Sequence, residues 1–316
     1  MESIEPNVIK ERKGPKSDFL AMGSNEGYVV NYQKLAEYFA GDAQAINPSF
    51  KLLLKTKVNR CKRTDDGFLV EIADNNFNSS LVLADVVVFA AGPYSLFFAQ
   101  KMGYGLDCGL LSVRGSFCSA GHWLNNKVYR MQVESRPFAE IHGDPDILNM
   151  HDTRFGPTTK PLPLMESYHY ETFWDFIQLP LISSLRGLAS LFKILWKQKL
   201  TWYVFKNLLF DLPIIGKALF LFEVKKIVPK IGYRDLKLRK GVGGIRPQIV
   251  NLKTGTLEMG DASLVGDKII FNTTPSPGAS VCLGNAKRDA ERVVEFLGPE
   301  HYFDEEKFEK ELGKSS

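Results

Sequence analysis

The sequence predicts an α/β protein, and three observations carry that prediction. A wholly apolar run, Val86-Val87-Val88-Phe89-Ala90-Ala91, stops at Gly92-Pro93 and gives way to a helical stretch from Leu96 to Met102. Short strands bounded by turn residues lie on both sides of this strand–Gly turn–helix unit. Between residues 173 and 228 the spacing becomes helical, so an all-helical insertion interrupts the α/β layer. At 316 residues, 44% hydrophobic and 24% charged, the chain has the composition of a globular protein with a sizeable core, as one large domain or two ordinary ones.

Residues 1–27 are polar, rich in Lys, Glu, Gly and Pro, and show no clear periodicity. From Tyr32, the positions Leu35, Ala36 and Phe39 suit one helical face, and a Gly/Pro-containing connection then reaches Pro48. Leu52–Val58 and Phe68–Ile72 read as strands about a Thr64-Asp65-Asp66-Gly67 turn. Leu81–Leu83 and Val86–Ala91 read as a second strand pair, the latter central in its sheet because it is apolar on both faces. Strands return at Leu111–Gly115 and Val128–Met131, whereas residues 142–165, dense in Gly, Pro and Asp, read as structured loop. The helical insertion opens with Phe173, Trp174, Phe176 and Ile177 and interleaves Arg186, Lys193, Lys197, Lys199, Lys206 and Lys217 with Phe, Leu and Trp. Strands resume at Ile249-Val250 and Ile269–Phe271, and a last helix spans about 279–297.

The bulk properties exclude several classes. A formal net charge of +4 offers no broad Lys/Arg excess with which to neutralise phosphates, so a nucleic-acid partner is not expected. The four cysteines, Cys61, Cys108, Cys118 and Cys282, form no CxxC pair, which argues against a disulfide framework or a metal site and for a reducing, cytoplasmic setting. The first residues lack the basic-then-apolar pattern of a signal peptide. No apolar run reaches the roughly 18 residues of a spanning helix.

Four stretches could carry chemistry. The end of the apolar strand, Ala91-Gly92, presents little side chain and lets a large ligand approach the backbone; alone, it equally suits a plain β-turn-α connection. In Gly241-Val242-Gly243-Gly244-Ile245-Arg246, the glycines let the chain pass close to a planar ligand, and Arg246 offers a two-pronged fork for a carboxylate. A glycine-rich surface turn with a solvated arginine is the alternative. Pro275-Ser276-Pro277-Gly278-Ala279-Ser280 leads into the last helix, whose first N–H groups could face negative charge or merely cap the helix. His142-Gly143-Asp144-Pro145 and His151-Asp152-Thr153-Arg154 gather two candidate bases and a cation, as oxidation of a hydroxyl acid requires. Either histidine could instead be structural, and Asp144 and Asp152 suit orienting a neighbour or capping a turn.

Taken in order, HGDPD, TRFGPT, GVGGIRPQIVN and IIFNTTPSPGASVCLGNA resemble the D-amino-acid-oxidase-type flavoprotein superfamily, most nearly its malate:quinone oxidoreductase-like branch. VVVFAAGPYSLFFAQKMG and LSVRGSF match the same superfamily, and the likeness covers roughly residues 28–297. The resemblance implies a partial FAD-binding (glutathione-reductase-like) layer over residues 1–110 and 241–316. It also implies an α+β substrate domain over 111–240, with its helical region at 173–228. The implied cofactor is FAD, lined by Ala91, Gly92, Gly115, Gly243, Gly244, Pro275, Gly278, Ala279 and Ser280. The implied reaction oxidises a malate-like 2-hydroxy acid and delivers its electrons to a quinone. Arg246 and Arg154 would clamp carboxylates, and His142 or His151 would act as base.

Such enzymes open with a strand–GxGxxG–helix unit and a glutamate that together hold the dinucleotide arm. Neither occurs in these 316 residues; Gly103-Tyr104-Gly105 follows a helix instead of preceding one. The expectation is therefore a chain that carries the isoalloxazine and substrate side of the family, with the remainder encoded ahead of a start placed too late, supplied by a separate N-terminal chain, or lost in a non-catalytic remnant. An L-2-hydroxyglutarate-oxidase-like activity is the alternative within the enzyme class. The aromatic and basic helical region further suggests a peripheral place on the inner face of the membrane.

Overall fold

The computed structural model describes residues 2–4, 21–23, 29–130, 140–180, 184–197, 206–239, 241–258, 263–274 and 278–312. Two short strands, β1 (Glu2–Ile4) and β2 (Ala21–Gly23), pair antiparallel. Helix α1 (Tyr32–Ile46) begins where expected, with Asn31 Oδ1 accepting from the Lys34 amide at 3.1 Å as a side-chain cap. A meander follows: β3 (Thr56–Thr64), β4 (Gly67–Asp74) and β5 (Ser79–Ala84). The first of these starts later than its apolar run suggests, because Leu52, Leu53 and Leu54 are exposed and Lys55 bends the backbone with φ of 55°.

The expected pairing of Leu81–Leu83 with Val86–Ala91 does not form. β5 pairs with β4, whereas β6 (Val87–Phe89) lies parallel to a strand from far along the chain. Helix α2 (Pro93–Lys101) starts on Pro93, whose fixed φ and missing N–H suit the first helical position. β7 (Cys108–Arg114) and β8 (Phe117–Gly121) come next. The expected strand at Val128–Met131 reduces to a single bridge between Val128 and Gly143, and Met131 lies outside the described residues.

Residues 142–156, expected as loop, form a hairpin of β9 (His142–Asp146) and β10 (Asn149–Gly156), followed by the short β11 (Lys160–Pro161). The Gly and Pro of HGDPD are tolerated because Gly143 packs against Leu124 and Phe155, where a larger side chain has no room. The helical insertion is present as α3 (Phe173–Phe176), α4 (Leu185–Lys197) and α5 (Pro213–Val224). Five strands then follow: β12 (Lys237–Arg239), β13 (Ile245–Asn251), β14 (Thr256–Leu257), β15 (Ser263–Gly266) and β16 (Ile269–Asn272). A 3-10 turn, Gly278–Val281, leads into α6 (Cys282–Leu297), and α7 (Glu305–Leu312) ends the described chain. Helices and sheets are mixed, as in an α/β fold.

The chain divides into two compact units. One holds Met1–Ala45, Val113–Tyr170 and Phe192–Ile245; the second holds Ile46–Ser112, Glu171–Leu191 and Arg246–Ser316. The first unit is built on a four-stranded antiparallel sheet, β12-β8-β10-β9. Cys118, Ala120 and Phe155 of that sheet join Leu124, Phe220 and Val224 in its core. The second unit contains the β3-β4-β5 meander and the sheet β15-β16-β6. Its core stacks Phe89 on Phe98 at 4.7 Å and on Phe271 at 5.3 Å, which ties β6, α2 and β16 together.

Candidate functional site

In the second unit the chain turns sharply where β6 ends. Ser95 is fully buried, and its hydroxyl donates to the Phe89 carbonyl at 3.0 Å while accepting from the Ala91 amide at 2.9 Å. That one side chain fixes the path of Ala90, Ala91 and Gly92. Gly92 takes φ of 56°, and a Cβ placed there would meet nothing within 4 Å. The turn thus presents bare backbone toward open space, as close approach of a large ligand requires.

Arg246 follows the Gly241–Gly244 loop at the start of β13. It is partly buried, and that burial pulls its pKa below the usual arginine value. Among the described residues the Arg246 side chain makes no ion pair and no hydrogen bond. A partly buried guanidinium without a counter-charge is costly, which suits it to an anion that arrives from outside the chain. Ala279 and Ser280 are exposed in the turn before α6, and Val281, at the start of that helix, makes no side-chain capping bond. Pro275 lies outside the described residues.

In the first unit the sheet separates two chemistries by strand alternation. Cys118, Ala120 and Phe155 point to the core. The alternate positions of β9, namely His142, Asp144 and Asp146, share the other face. Arg154 on β10 is the direct cross-strand partner of Asp144 and donates to its Oδ2 at 2.7 Å. The Arg154 guanidinium also lies 5.3 Å from the Phe117 ring centre, so it is held in two directions. His142 Nδ1 lies 3.2 Å from the Glu140 carbonyl, and its ring packs 4.7 Å from that of Tyr129. His151, by contrast, is exposed, and its backbone amide donates to Asn149 Oδ1 at 3.3 Å.

The candidate glycines divide into two kinds. A Cβ on Gly243 would meet the Gly115 carbonyl oxygen at 2.5 Å, and one on Gly115 would meet the Pro157 ring at 2.4 Å. These two glycines are demanded by chain packed on chain. Gly244 has nothing within 4 Å, and Gly278 only a methyl of Thr274 at 4.0 Å. Sequence reasoning missed Arg239, which pairs with Asp146, because nothing in Lys237-Leu238-Arg239-Lys240 sets one cation apart from the others. Only the register across the sheet singles it out.

With an α/β fold, a bared glycine turn and a polar sheet face in place, comparison with known proteins supplies the family. No family model matches the sequence. A probable malate:quinone oxidoreductase of Campylobacter jejuni is 37% identical over 324 residues, which cover 99% of this chain and 70% of the relative. Malate:quinone oxidoreductases from two strains of Helicobacter pylori are 35% and 36% identical, each over 99% of this chain and 69% of their own length. The solved structure of a glycerol-3-phosphate dehydrogenase from Bacillus halodurans, complexed with FAD, shares 16% identity at a TM-score of 0.49, over 79% of this chain and 40% of that one. The chain belongs to the malate:quinone oxidoreductase family.

Proposed function

We propose that this chain takes part in the oxidation of malate with a quinone as electron acceptor, the activity that its relatives' names give them, with FAD as the cofactor. The observation that carries the reading is Arg246, a partly buried guanidinium with no counter-charge among the described residues. It is suited to a substrate carboxylate through two parallel N–H bonds. FAD, when bound, supplies the hydride acceptor. Within the second unit, the bare backbone at Ala91-Gly92 and the Gly278–Ser280 turn fit a large planar group.

Arg154 offers further carboxylate-binding donors. His142 is preferred to His151 as the base that takes the hydroxyl proton. The Glu140 carbonyl, which can only accept, takes a bond from His142 Nδ1 and orients the ring, whereas His151 stands exposed. Steady-state kinetics test the assignment of Arg246. Arg246→Lys should raise KM for malate about ten- to a hundredfold, because a point charge cannot reproduce the planar fork. A folded variant with unchanged KM would move the role to Arg154.

Two finer elements belong to the same proposal. The first is a membrane surface. Ile214, Ile215 and Phe222 of α5 are exposed (77%, 50% and 62%), while Phe220 and Val224 on the same helix are buried. Lys226 lies 4.6 Å from the Phe222 ring centre, so exposed apolar side chains stand beside a cation, as on a helix lying at a membrane interface. No helix among the described residues is long and apolar enough to cross a membrane. Flotation with anionic liposomes should carry the parent chain upward and leave Ile214→Glu/Phe222→Glu behind; equal flotation of both would remove this element.

The second is a separate N-terminal chain bearing the strand–GxGxxG–helix unit. Among the described residues, strand β6 of the sheet β15-β16-β6 pairs with β16 on one side only, although it is apolar throughout and Val88 is 40% exposed. An unpaired apolar edge is a place for another strand. Co-expression with such a segment from a complete relative should raise FAD retention, and unchanged retention would rule the segment out.

A further inference from the structure

β9 buries two carboxylates on its polar face, with Asp144 3% exposed and Asp146 1% exposed. Removing a carboxylate from water costs several kcal/mol unless a cation and hydrogen bonds answer it. Each has one arginine: Asp144 holds Arg154, and Asp146 holds Arg239 of β12. The arginines, unlike the acids, reach solvent, with side chains 30% and 28% exposed. A guanidinium has five N–H donors, and each of these gives its carboxylate one bond. Spare donors therefore remain on two side chains that cannot swing away from their anchors. Phe117 stands between them: it is the cross-strand partner of Arg239, and its ring faces Arg154.

We infer that Arg239 is a further carboxylate-binding residue beside those already proposed, seated by Asp146 as Arg154 is seated by Asp144, and that the Arg154–Arg239 pair selects dicarboxylates over monocarboxylates. This deepens the malate reading given above. Planar forks fixed from below match carboxylates in both geometry and charge. A ligand with one carboxylate leaves one anchored guanidinium partly desolvated and unanswered, and such a missing polar partner is what a site rejects most strongly. Asp146 is a positioning residue in this scheme, since it touches the ligand only through Arg239.

Binding and turnover can be separated by titrating the purified full chain calorimetrically with succinate, an inert dicarboxylate, and with butyrate. The parent should bind succinate at least tenfold more tightly than butyrate. Arg239→Gln should weaken succinate about ten- to a hundredfold while moving butyrate less than threefold, with Arg239→Lys intermediate. Asp146→Asn should shift the same ratio in the same direction. Loss of affinity for both ligands together with a lowered melting temperature would make the pair a structural staple and overturn the inference. So would a parent chain that does not distinguish succinate from butyrate. A parent that oxidises malate while Arg239→Gln binds succinate normally sinks the role of Arg239 alone. Arg239-dependent succinate binding without malate oxidation sinks only the enzymatic reading.

Discussion

The first unit buries carboxylates against cations in two places, and the stoichiometry differs between them. Near the end of α5, Glu223 accepts from Arg130 and Lys206 at 2.7 Å each and from Lys226 at 2.9 Å, and Arg130 also faces Glu140 at 3.8 Å. Burial alone would raise the Glu223 pKa, but bonds from Lys206, Lys226 and Arg130 pull it down to about 2. On β9 each aspartate meets a single arginine. At Glu223 three cations converge on one acid, two of them from far along the chain, so the cluster works as an anchor for the helical region. On β9 each acid seats one arginine, and two planar forks are held on one sheet face with donors left over. Buried charge and spare donors are common to both; what separates the binding face from the brace is the one-to-one seating of paired planar forks.

The largest expected effect lies on the brace. Glu223→Gln strands three cations around a neutral amide. Breaking a buried cluster costs roughly 3–5 kcal/mol, and about 3 is expected here because all three cations reach solvent. Chemical denaturation at pH 7 reads this directly, and succinate affinity should stay as in the parent. The pH dependence follows from the direction of the shift. The folded-state pKa, about 2, lies below the ordinary value of 4.5. The cluster therefore contributes fully above pH 4.5, and its stabilisation is lost as pH falls from there toward 2. Glu223→Gln should remove that part of the acid transition.

Asp144→Asn should give the smaller and opposite pattern. The amide can still accept one bond from Arg154 but no longer balances its charge, a loss of about 1–2 kcal/mol. It should appear as a weaker ligand affinity of about tenfold, with the unfolding midpoint moved little. A variant that unfolds easily yet binds succinate as the parent does would place β9 beside Glu223 as a brace and erase the contrast.

Much of this architecture was legible in the sequence, where local rules decide. The helix from Tyr32 and the strand–Gly turn–helix unit at Gly92 were both read, although α2 begins at Pro93, three residues before the Leu96 start expected. What failed was non-local. Leu81–Leu83 and Val86–Ala91 lie so near in sequence that they read as a hairpin, yet β6 takes a parallel partner, Ile269–Phe271, which no local pattern announces. HGDPD was unreadable for another reason. Its Gly and Pro argue for loop, whereas its alternation of His142, Asp144 and Asp146 is the strand signal, and polar side chains on a buried face hide that signal from any hydrophobic pattern. For the site, glycine-rich character was legible, but whether a glycine faces open space or a neighbouring carbonyl was not.

That last distinction can be tested within one dipeptide, where the expected effects are smallest. Gly243 has φ of 99° and would push a Cβ to 2.5 Å from the Gly115 oxygen, so Gly243→Ala must shift backbone against backbone. A cost of roughly 1–3 kcal/mol is expected, visible as a lowered melting temperature whether or not cofactor is present. Gly244 has no such φ and no neighbour within 4 Å, so Gly244→Ala should change stability by no more than about 0.5 kcal/mol. Its consequence, if FAD lies along this loop, is confined to the cofactor: the added methyl occupies the open space and lowers flavin retention, read as fluorescence released on dilution. Loss of flavin without loss of melting temperature in Gly244→Ala, beside the reverse order in Gly243→Ala, would show that open and packed glycines do different work in one loop. Full flavin retention by Gly244→Ala would mean that the space beside it admits solvent only, and would shift the cofactor contacts to Gly92 and the Gly278–Ser280 turn.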